Sequence, residues 1–362
     1  MTTAQRVRRA GVATAAALVI GGGGVAIGAA AADSSTPGTT AAAAATATPG
    51  PATSPGQAPA SYAGVVRQVL PSVVLIRTQN GLGSGVVLDR SGNIVTNAHV
   101  AGDATSFQVQ VAGDTAPRSA RLVGSYPPDD IAVIRADNPA GLQPATFGDS
   151  DKVQAGDVVL AIGNPLGLSG SVTQGIISAT DRTVTEPSTD GSPAATLPGA
   201  IQTSAPINPG NSGGALVSTS GQVVGIPTLA AGSPQGGGQA QGIGFAIPSN
   251  LARDIATQII DTGHVTSSHR AALGAEVATV LGTDGTTGGV GVVTVTSGGG
   301  AERAGLRPGD VIKSIGGVQI PDTTALTQAL AAAEPGDQVT VTISRDGQDR
   351  DIPVTLGELP GS

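Results

Sequence analysis

From residue 73 onward the chain is written in short β-branched runs, broken every few residues by Gly, Asp or Asn. Val73–Arg77, Gly83–Asp89, Asn93–Asn97, Phe107–Val111, Ala120–Ser125, Ile131–Arg135, Val158–Ile162, Gly170–Ala179, Ala215–Val217 and Val223–Leu229 are rich in residues that suit a pleated, half-buried surface. Many short strands at such spacing predict a sandwich or a barrel, a mainly β fold. Only three Phe and two Tyr are present and Trp is absent, so the cores must be built from Val, Ile, Leu and Ala. Helical patterns are few. Val65–Leu70 reads as a short helix ended by Pro71, and Asn250–Asp261 carries Leu251, Ile255, Ile259 and Ile260 at helical spacing.

A length of 362 residues suggests about two domains plus tails. Residues 1–9 form a basic tail with Arg6, Arg8 and Arg9, and 10–32 carry no charge, long enough for a bilayer-spanning helix, which needs roughly 20 residues. The basic flank predicts a cytoplasmic N-terminus and export of the remainder of the chain; the segment reads as a transmembrane anchor or, given the small residues Ala29–Ala32, as a cleaved signal peptide. Apart from Asp33 and Gln57, residues 33–60 are Ala, Thr, Pro, Ser and Gly and predict a disordered tether. A first domain is expected over 61–262, a polar linker over 263–270, and a second domain with strand–helix alternation over 271–358.

One stretch carries chemistry. In Ile207-Asn208-Pro209-Gly210-Asn211-Ser212-Gly213-Gly214-Ala215-Leu216 a serine stands among glycines between apolar segments. Glycine loses more backbone freedom on folding than any other residue, so such a cluster needs a geometric reason. A tight loop whose N–H groups converge on an anion beside a hydroxyl supplies one. A surface turn has a similar composition; the loop's apolar flanks and the available partners argue against it. Of the three histidines, His264 and His269 fall in the polar stretch Asp261–Arg270, whereas His99 closes the apolar run Asn93–Asn97 and is the candidate base. Asp129 and Asp130 head the strand Ile131–Arg135. Successive strand residues face opposite ways, so only one of the two carboxylates is expected to face His99.

Thr96-Asn97-Ala98-His99-Val100, Asp130-Ile131-Ala132-Val133 and Gly210-Asn211-Ser212-Gly213-Gly214, in that order, resemble the HtrA/Deg family of trypsin-like serine proteases. Ala304-Gly305-Leu306 with Pro308-Gly309-Asp310-Val311-Ile312 resembles the PDZ domain of the same family, and the likeness runs from about residue 61 to 358. The resemblance implies a chymotrypsin/trypsin-like double β-barrel followed by one α+β PDZ domain. It also implies a catalytic triad of Ser212, His99 and Asp130, chosen over Asp129, and an oxyanion hole from the N–H groups of Gly210 and Ser212. Arg182–Ala200 and Ala230–Gln241 correspond to loops that order the oxyanion hole when a ligand arrives. Thr228, Leu229 and Ala230 should pair with the substrate backbone. Pro206 stands where trypsin-type enzymes keep an acid, and Ile207 should line the pocket, which predicts cleavage after small or medium apolar residues. Ala272, Leu273, Gly274 and Ala275 match the loop that holds a peptide's C-terminal carboxylate.

Two departures from the pattern are Ser204, where many relatives have Asp, and Pro227, where many have Asn; Pro227 lacks an N–H, so its strand is expected to bend or to sit at a sheet edge. The implied activity is endoproteolysis of misfolded or regulatory proteins outside the cytoplasm, in the bacterial envelope, with C-terminal peptides at the PDZ domain. Membrane attachment through the N-terminal segment and a homotrimer with Tyr62 at its interface are also implied. A chaperone-like or PDZ peptide-binding protein with silent or secondary proteolysis is the alternative. Zero cysteines exclude disulfides and thiolate metal sites, and the triad chemistry implies no metal or organic cofactor. The net charge of −8 shows no basic patch of the kind that binds nucleic acid.

Overall fold

The computed structural model describes residues 61–79, 81–114, 116–164, 170–186, 195–208, 210–232, 239–281 and 286–361. The anchor-or-signal segment and the tether expected over 10–60 lie outside the described residues, as do 187–194 and 233–238 within the two expected control loops. Among the described residues no helix is long and apolar enough to cross a membrane.

Helix α1 (Tyr62–Val69), capped by Ser61, leads into a 3₁₀ turn Leu70–Ser72, so Pro71 tightens the helix end rather than ending it outright. The first barrel consists of β1 (Val73–Arg77), β2 (Leu82–Val87), β3 (Asn93–Thr96), β4 (Ser106–Val111), β5 (Arg118–Tyr126) and β6 (Ile131–Ala136), closed in the order 1-2-3-6-5-4. A four-residue helix α2 (Ala98–Ala101) leaves β3. The second barrel consists of β7 (Val158–Gly163), β8 (Ser171–Glu186), β9 (Ala195–Thr203), β10 (Ala215–Ser218), β11 (Val223–Gly232) and β12 (Gln239–Pro248), closed in the order 10-11-12-9-8-7.

Both faces of many strands are buried, and for that reason the sequence shows continuous apolar runs. Val74, Ile76, Ala132 and Ile134 belong to a cluster confined to the first barrel. Their neighbours Val73, Ile131 and Val133 point to the opposite side, into a core shared with Leu160, Ile162 and Ile247 of the second barrel. Helix α3 (Ser249–Thr262) closes this shared core with Ala252, Ile255, Ala256 and Ile259. Leu251 and Ile260, expected on its buried face, lie at its margin, because the two alanines let the helix approach the barrels closely. Gly263 ends α3 in the left-handed region, its N–H donating to Ile259 O.

Three expectations need correction. The stretch 182–200, expected as a polar loop, is strand up to Glu186 and again from Ala195, because β8 and β9 pair as a long hairpin. The stretch 230–241 is likewise strand at both ends, with β11 running to Gly232 and β12 starting at Gln239. The polar connection 263–270 is fastened down rather than loose. Gln258 Oε1 accepts from the N–H groups of Thr266 and Ser267, and Ser268 Oγ donates to Leu359 O at 2.7 Å.

Beyond it, β13 (Ala271–Ala272), β14 (Ala275–Leu281), β15 (Thr287–Val295), α4 (Gly300–Ala304), β16 (Val311–Ile315), β17 (Val318–Gln319), α5 (Thr323–Ala331), β18 (Gln338–Arg345), β19 (Gln348–Thr355) and β20 (Gly357–Glu358) build the second fold. Its sheet runs 14-15-16-18-19, with β17 on β16, while β13 and β20 pair separately. Val290, Ile312, Leu326, Val341, Ile343 and Val354 fill its core. Gln328 of α5 donates to Thr185 of β8 at 3.1 Å, a direct contact between the second fold and the β8–β9 hairpin.

Candidate active site

The acid that faces His99 is not a strand residue. Pro127–Asp129 form a 3₁₀ turn, and Asp130 closes it in the left-handed region at φ 51° before β6 begins. Asp tolerates this conformation better than most residues because its short polar side chain finds local partners. Here the N–H of Asp130 donates to Pro127 O at 3.0 Å, and its carbonyl accepts from Ala98 N and Asn97 Nδ2, each at 3.1 Å. The carboxylate then meets α2 end-on. Asp130 Oδ1 accepts from the His99 N–H at 2.9 Å, and Oδ2 lies 2.9 Å from His99 Nδ1. A carboxylate acceptor at Nδ1 assigns the ring proton there and leaves Nε2 as the basic nitrogen. His99 lies on a helical turn at the end of the β-branched run rather than on the strand itself.

Thr228 joins this pair to the serine. A β-bulge between Pro227 and Leu229 leaves Thr228 outside the β11–β12 ladder, next to a proline that has no N–H to contribute to it. Its hydroxyl donates to Asp130 Oδ2, and its carbonyl accepts from Ser212 Oγ at 3.2 Å. Ser212, Thr228, Asp130 and His99 thus form one connected group drawn from both barrels. The bend expected at Pro227 occurs, although within the sheet rather than at its edge.

The loop holding Ser212 is stapled from inside. Asn211 Oδ1 accepts from Asn208 N at 3.0 Å, and Asn211 Nδ2 donates to Pro206 O at 3.1 Å. Gly213 sits at φ 77° with its N–H on Pro227 O, and a Cβ there would stand 2.3 Å from Ser84 O. Only glycine allows the barrels to approach so closely at this point. Ile207 is buried with Ala205, Leu216 and Ala246, its side chain against Gly244 of β12. Leu229 and Ala230 pair with Phe245 and Gly244 through the β11–β12 ladder. A cavity of about 430 Å³ opens beside His99, lined also by Thr78, Gln79, Gly81 and the segment Val100–Ser106.

Asp129, the rival carboxylate, points the other way, and strand alternation is not the cause: it is the last residue of the 3₁₀ turn. It is fully buried, and its Oδ1 accepts from Arg270 Nη1 at 3.0 Å, while the same nitrogen donates to Pro128 O at 2.5 Å. Asp129 Oδ2 is buried without a hydrogen-bond partner among the described residues. Burial raises the Asp129 carboxyl from its ordinary 3.8 to about 6, against the opposing Arg270 charge and hydrogen bond and the charge of His269. Desolvation outweighs the ion pair here. Burial likewise raises the Tyr126 phenol.

In the second fold, a cavity of about 240 Å³ lies between the segment Ala271–Val277 and α5. Ala272, Leu273, Gly274 and Ala275 line it opposite Leu326 and Leu330. Gly274 turns the chain there at φ 74°, with its carbonyl accepting from Thr296 N and that of Leu273 from Ala301 N. Arg270, one residue before β13, lines the same cavity while reaching Asp129.

Sequence reasoning missed the hydroxyl of Thr228 and the Arg270–Asp129 pair, and neither has a local signal. It also passed over Ser84, which a Gly83-Ser84-Gly85 pattern inside an apolar run does mark.

Comparison with known proteins agrees with this geometry. Residues 83–226 match the trypsin-like peptidase domain and 271–356 the PDZ domain. The periplasmic pH-dependent serine endoprotease DegQ of Escherichia coli K12 is 36% identical over 347 residues, covering 84% of this chain and 73% of that one. The serine protease PepD of Mycobacterium tuberculosis H37Rv is 40% identical over 319 residues, covering 83% of this chain and 67% of that one. Among solved structures, the HtrA-type protease AlgW with a decapeptide matches at TM-score 0.55 and 35% identity, covering 83% of this chain and 99% of that one. A serine endoprotease from Yersinia pestis matches at TM-score 0.54 and 35% identity, covering 84% and 100%. The two barrels, the PDZ-like fold that follows them and these likenesses converge on one conclusion: the chain belongs to the HtrA/Deg family of trypsin-like serine endoproteases with one PDZ domain.

Proposed function

We propose that Ser212, His99 and Asp130 are the triad with which this endopeptidase hydrolyses peptide bonds in unfolded or regulatory proteins outside the cytoplasm. The observation that carries the reading is the connected chain His99–Asp130–Thr228–Ser212 across the two barrels. Ser212 Oγ attacks the scissile carbonyl while His99 Nε2 takes its proton, and the carbonyl electrons move onto oxygen. The N–H groups of Gly210 and Ser212 hold that oxyanion. Collapse expels the amine, which takes the proton back from His99, and water repeats the sequence on the acyl-enzyme. Asp130 keeps the imidazole in the required tautomer and stabilises its cation. The backbone of 228–230 pairs with the substrate, and Ile207 limits the pocket to small or medium apolar side chains.

At the second fold, a peptide strand added beside β14 places its terminal carboxylate on the turn at Ala272–Ala275, with an apolar side chain in the cavity against Leu326 and Leu330. The solved structure of AlgW with a decapeptide supports a peptide as the ligand class. The periplasmic relatives and the basic, then uncharged N-terminus support export, with the N-terminal segment as anchor or signal.

The test is fluorophosphonate labelling of the full-length chain, with mass spectrometry of the adduct and casein turnover in parallel. Labelling at Ser212 that vanishes in His99→Ala, with turnover down on the order of 10⁴-fold in Ser212→Ala, is expected. Labelling only after a C-terminal peptide is added identifies a gated enzyme. No labelling under either condition refutes the triad and leaves a peptide-binding protein.

A further inference from the structure

We propose that Ser84, in β2 of the first barrel, is the positioning residue of the oxyanion hole; the proposal rests on Ser212 being the nucleophile. Ser84 is fully buried and holds the Ser212 loop at two points. Its Oγ donates to Gly210 O at 2.6 Å, and its N–H donates to Ser212 O at 3.0 Å. The N–H of Ser212 belongs to the peptide plane that joins Asn211 to Ser212. The planes on either side of it carry the carbonyls of Gly210 and Ser212, and both end on Ser84. One residue therefore pins the backbone on both flanks of an oxyanion donor.

The second donor depends on it as well. Gly210 sits at φ 110°, a conformation that only glycine adopts freely and leaves as freely. With no Cβ to limit rotation, the direction of the Gly210 N–H is set by whatever holds the rest of the residue. Ser84 holds the carbonyl from one side. Gly163, at the end of β7, packs directly against the same carbonyl: a Cβ there would lie 2.5 Å from Gly210 O.

The polarity of the bond is determined by its surroundings. Asn164 N donates to Ser84 Oγ at 2.8 Å, so the single hydroxyl proton of Ser84 is left for Gly210 O. Thr96 Oγ1 donates to Ser84 O at 2.7 Å and fixes the backbone of β2 from the far side. The hole is thereby a property of the docked pair of barrels, since the loop lies on the second barrel and its clamp on the first.

The experiment compares full-length wild type, Ser84→Ala and Ser84→Cys. It measures kcat and KM on labelled casein, Ki for a peptide boronate with valine at the cut site, the acid midpoint of kcat/KM, and the melting temperature. A boronate forms a tetrahedral adduct on Ser212 whose oxygen occupies the hole. Removing one oxyanion donor costs about 10²–10³-fold in kcat. Freeing the Gly210 carbonyl, which flanks both donors, while the Ser84 N–H stays on Ser212 O, is expected to cost roughly 10–100-fold in kcat, with KM within about 2-fold. Ki should weaken by the same factor as kcat, and the acid midpoint should stay in place because His99 is untouched. Ser84→Cys, which fills the same space with a weaker donor, should fall between and decides the matter if the alanine variant does not fold. A folded variant whose kcat stays within about 3-fold of wild type, or whose boronate affinity is unchanged, overturns the proposal. So does a shifted acid midpoint, which would mean action through His99. Failure of the triad reading shows separately, as wild type that is neither labelled nor active with a C-terminal peptide present.

Discussion

Replacing Asp129 by an asparagine tests which of two opposing forces governs the carboxylate next to Asp130. Burial pushes its carboxyl from 3.8 to about 6, while Arg270 and His269 pull it down. That gap, at 1.36 kcal/mol for each power of ten in proton affinity, comes to about 3 kcal/mol. The sign follows from which state keeps the proton. Between about pH 4 and pH 6 the folded chain holds a proton that the unfolded chain has released, so stability from this group is fully present below about pH 4. It is lost as pH rises toward 6 and stays lost above. The amide of the Asp129→Asn variant cannot titrate. Subtracting the variant's unfolding free energy from the wild type's should therefore give a difference that falls by about 3 kcal/mol across that window. Urea unfolding by circular dichroism at fixed ionic strength measures it. The charged groups that act on Asp129 are Arg270 and His269, and its neighbour Tyr126 also feels Glu358. The comparison is best made in a His269→Gln background. A flat difference, or one that rises with pH, would mean that the Arg270 pair dominates and that the desolvation argument is wrong.

Thr228→Val keeps the shape and the carbonyl that accepts from Ser212 but removes the hydroxyl from Asp130. A hydrogen bond to a charged group is worth about 1.5–3 kcal/mol, so kcat/KM should fall roughly 10–150-fold with little change in KM. A loss under about 3-fold in a folded variant would remove Thr228 from the working group. Pro206 and the buried Ile207 predict cut sites after residues such as Ala, Val or Ile in a peptide library; a dominance of Arg or Lys would refute that assignment of the pocket.

Much of the fold was readable because strand burial is written locally. Val73–Arg77 and Ile131–Arg135 read as strands because both faces are buried, and β1 and β6 lie there. Where burial depends on a distant partner, local pattern misleads. Residues 182–186 and 195–200 are mostly polar or small, with Val184 and Leu197 as isolated apolar residues, and resemble a loop. They are strand because β8 and β9 pair with each other and because α5 of the second fold lies against them.

The sequence by itself pointed to serine-protease chemistry and to the residues proposed here to carry it. His99, Asp130 and the Gly210–Gly214 loop around Ser212 are short, ordered motifs whose residue types allow few other uses. What only the tertiary structure decided is how they are held. Asp130 faces His99 because a 3₁₀ turn ends in a left-handed residue, whereas Asp129, its neighbour, is turned to Arg270, 141 positions away. Thr228 reaches Asp130 across 98 positions, and Ser84 grips Gly210 across 126. Spacing in a chain records what neighbours do to one another. These contacts exist only after two barrels close and dock, and no local pattern encodes them.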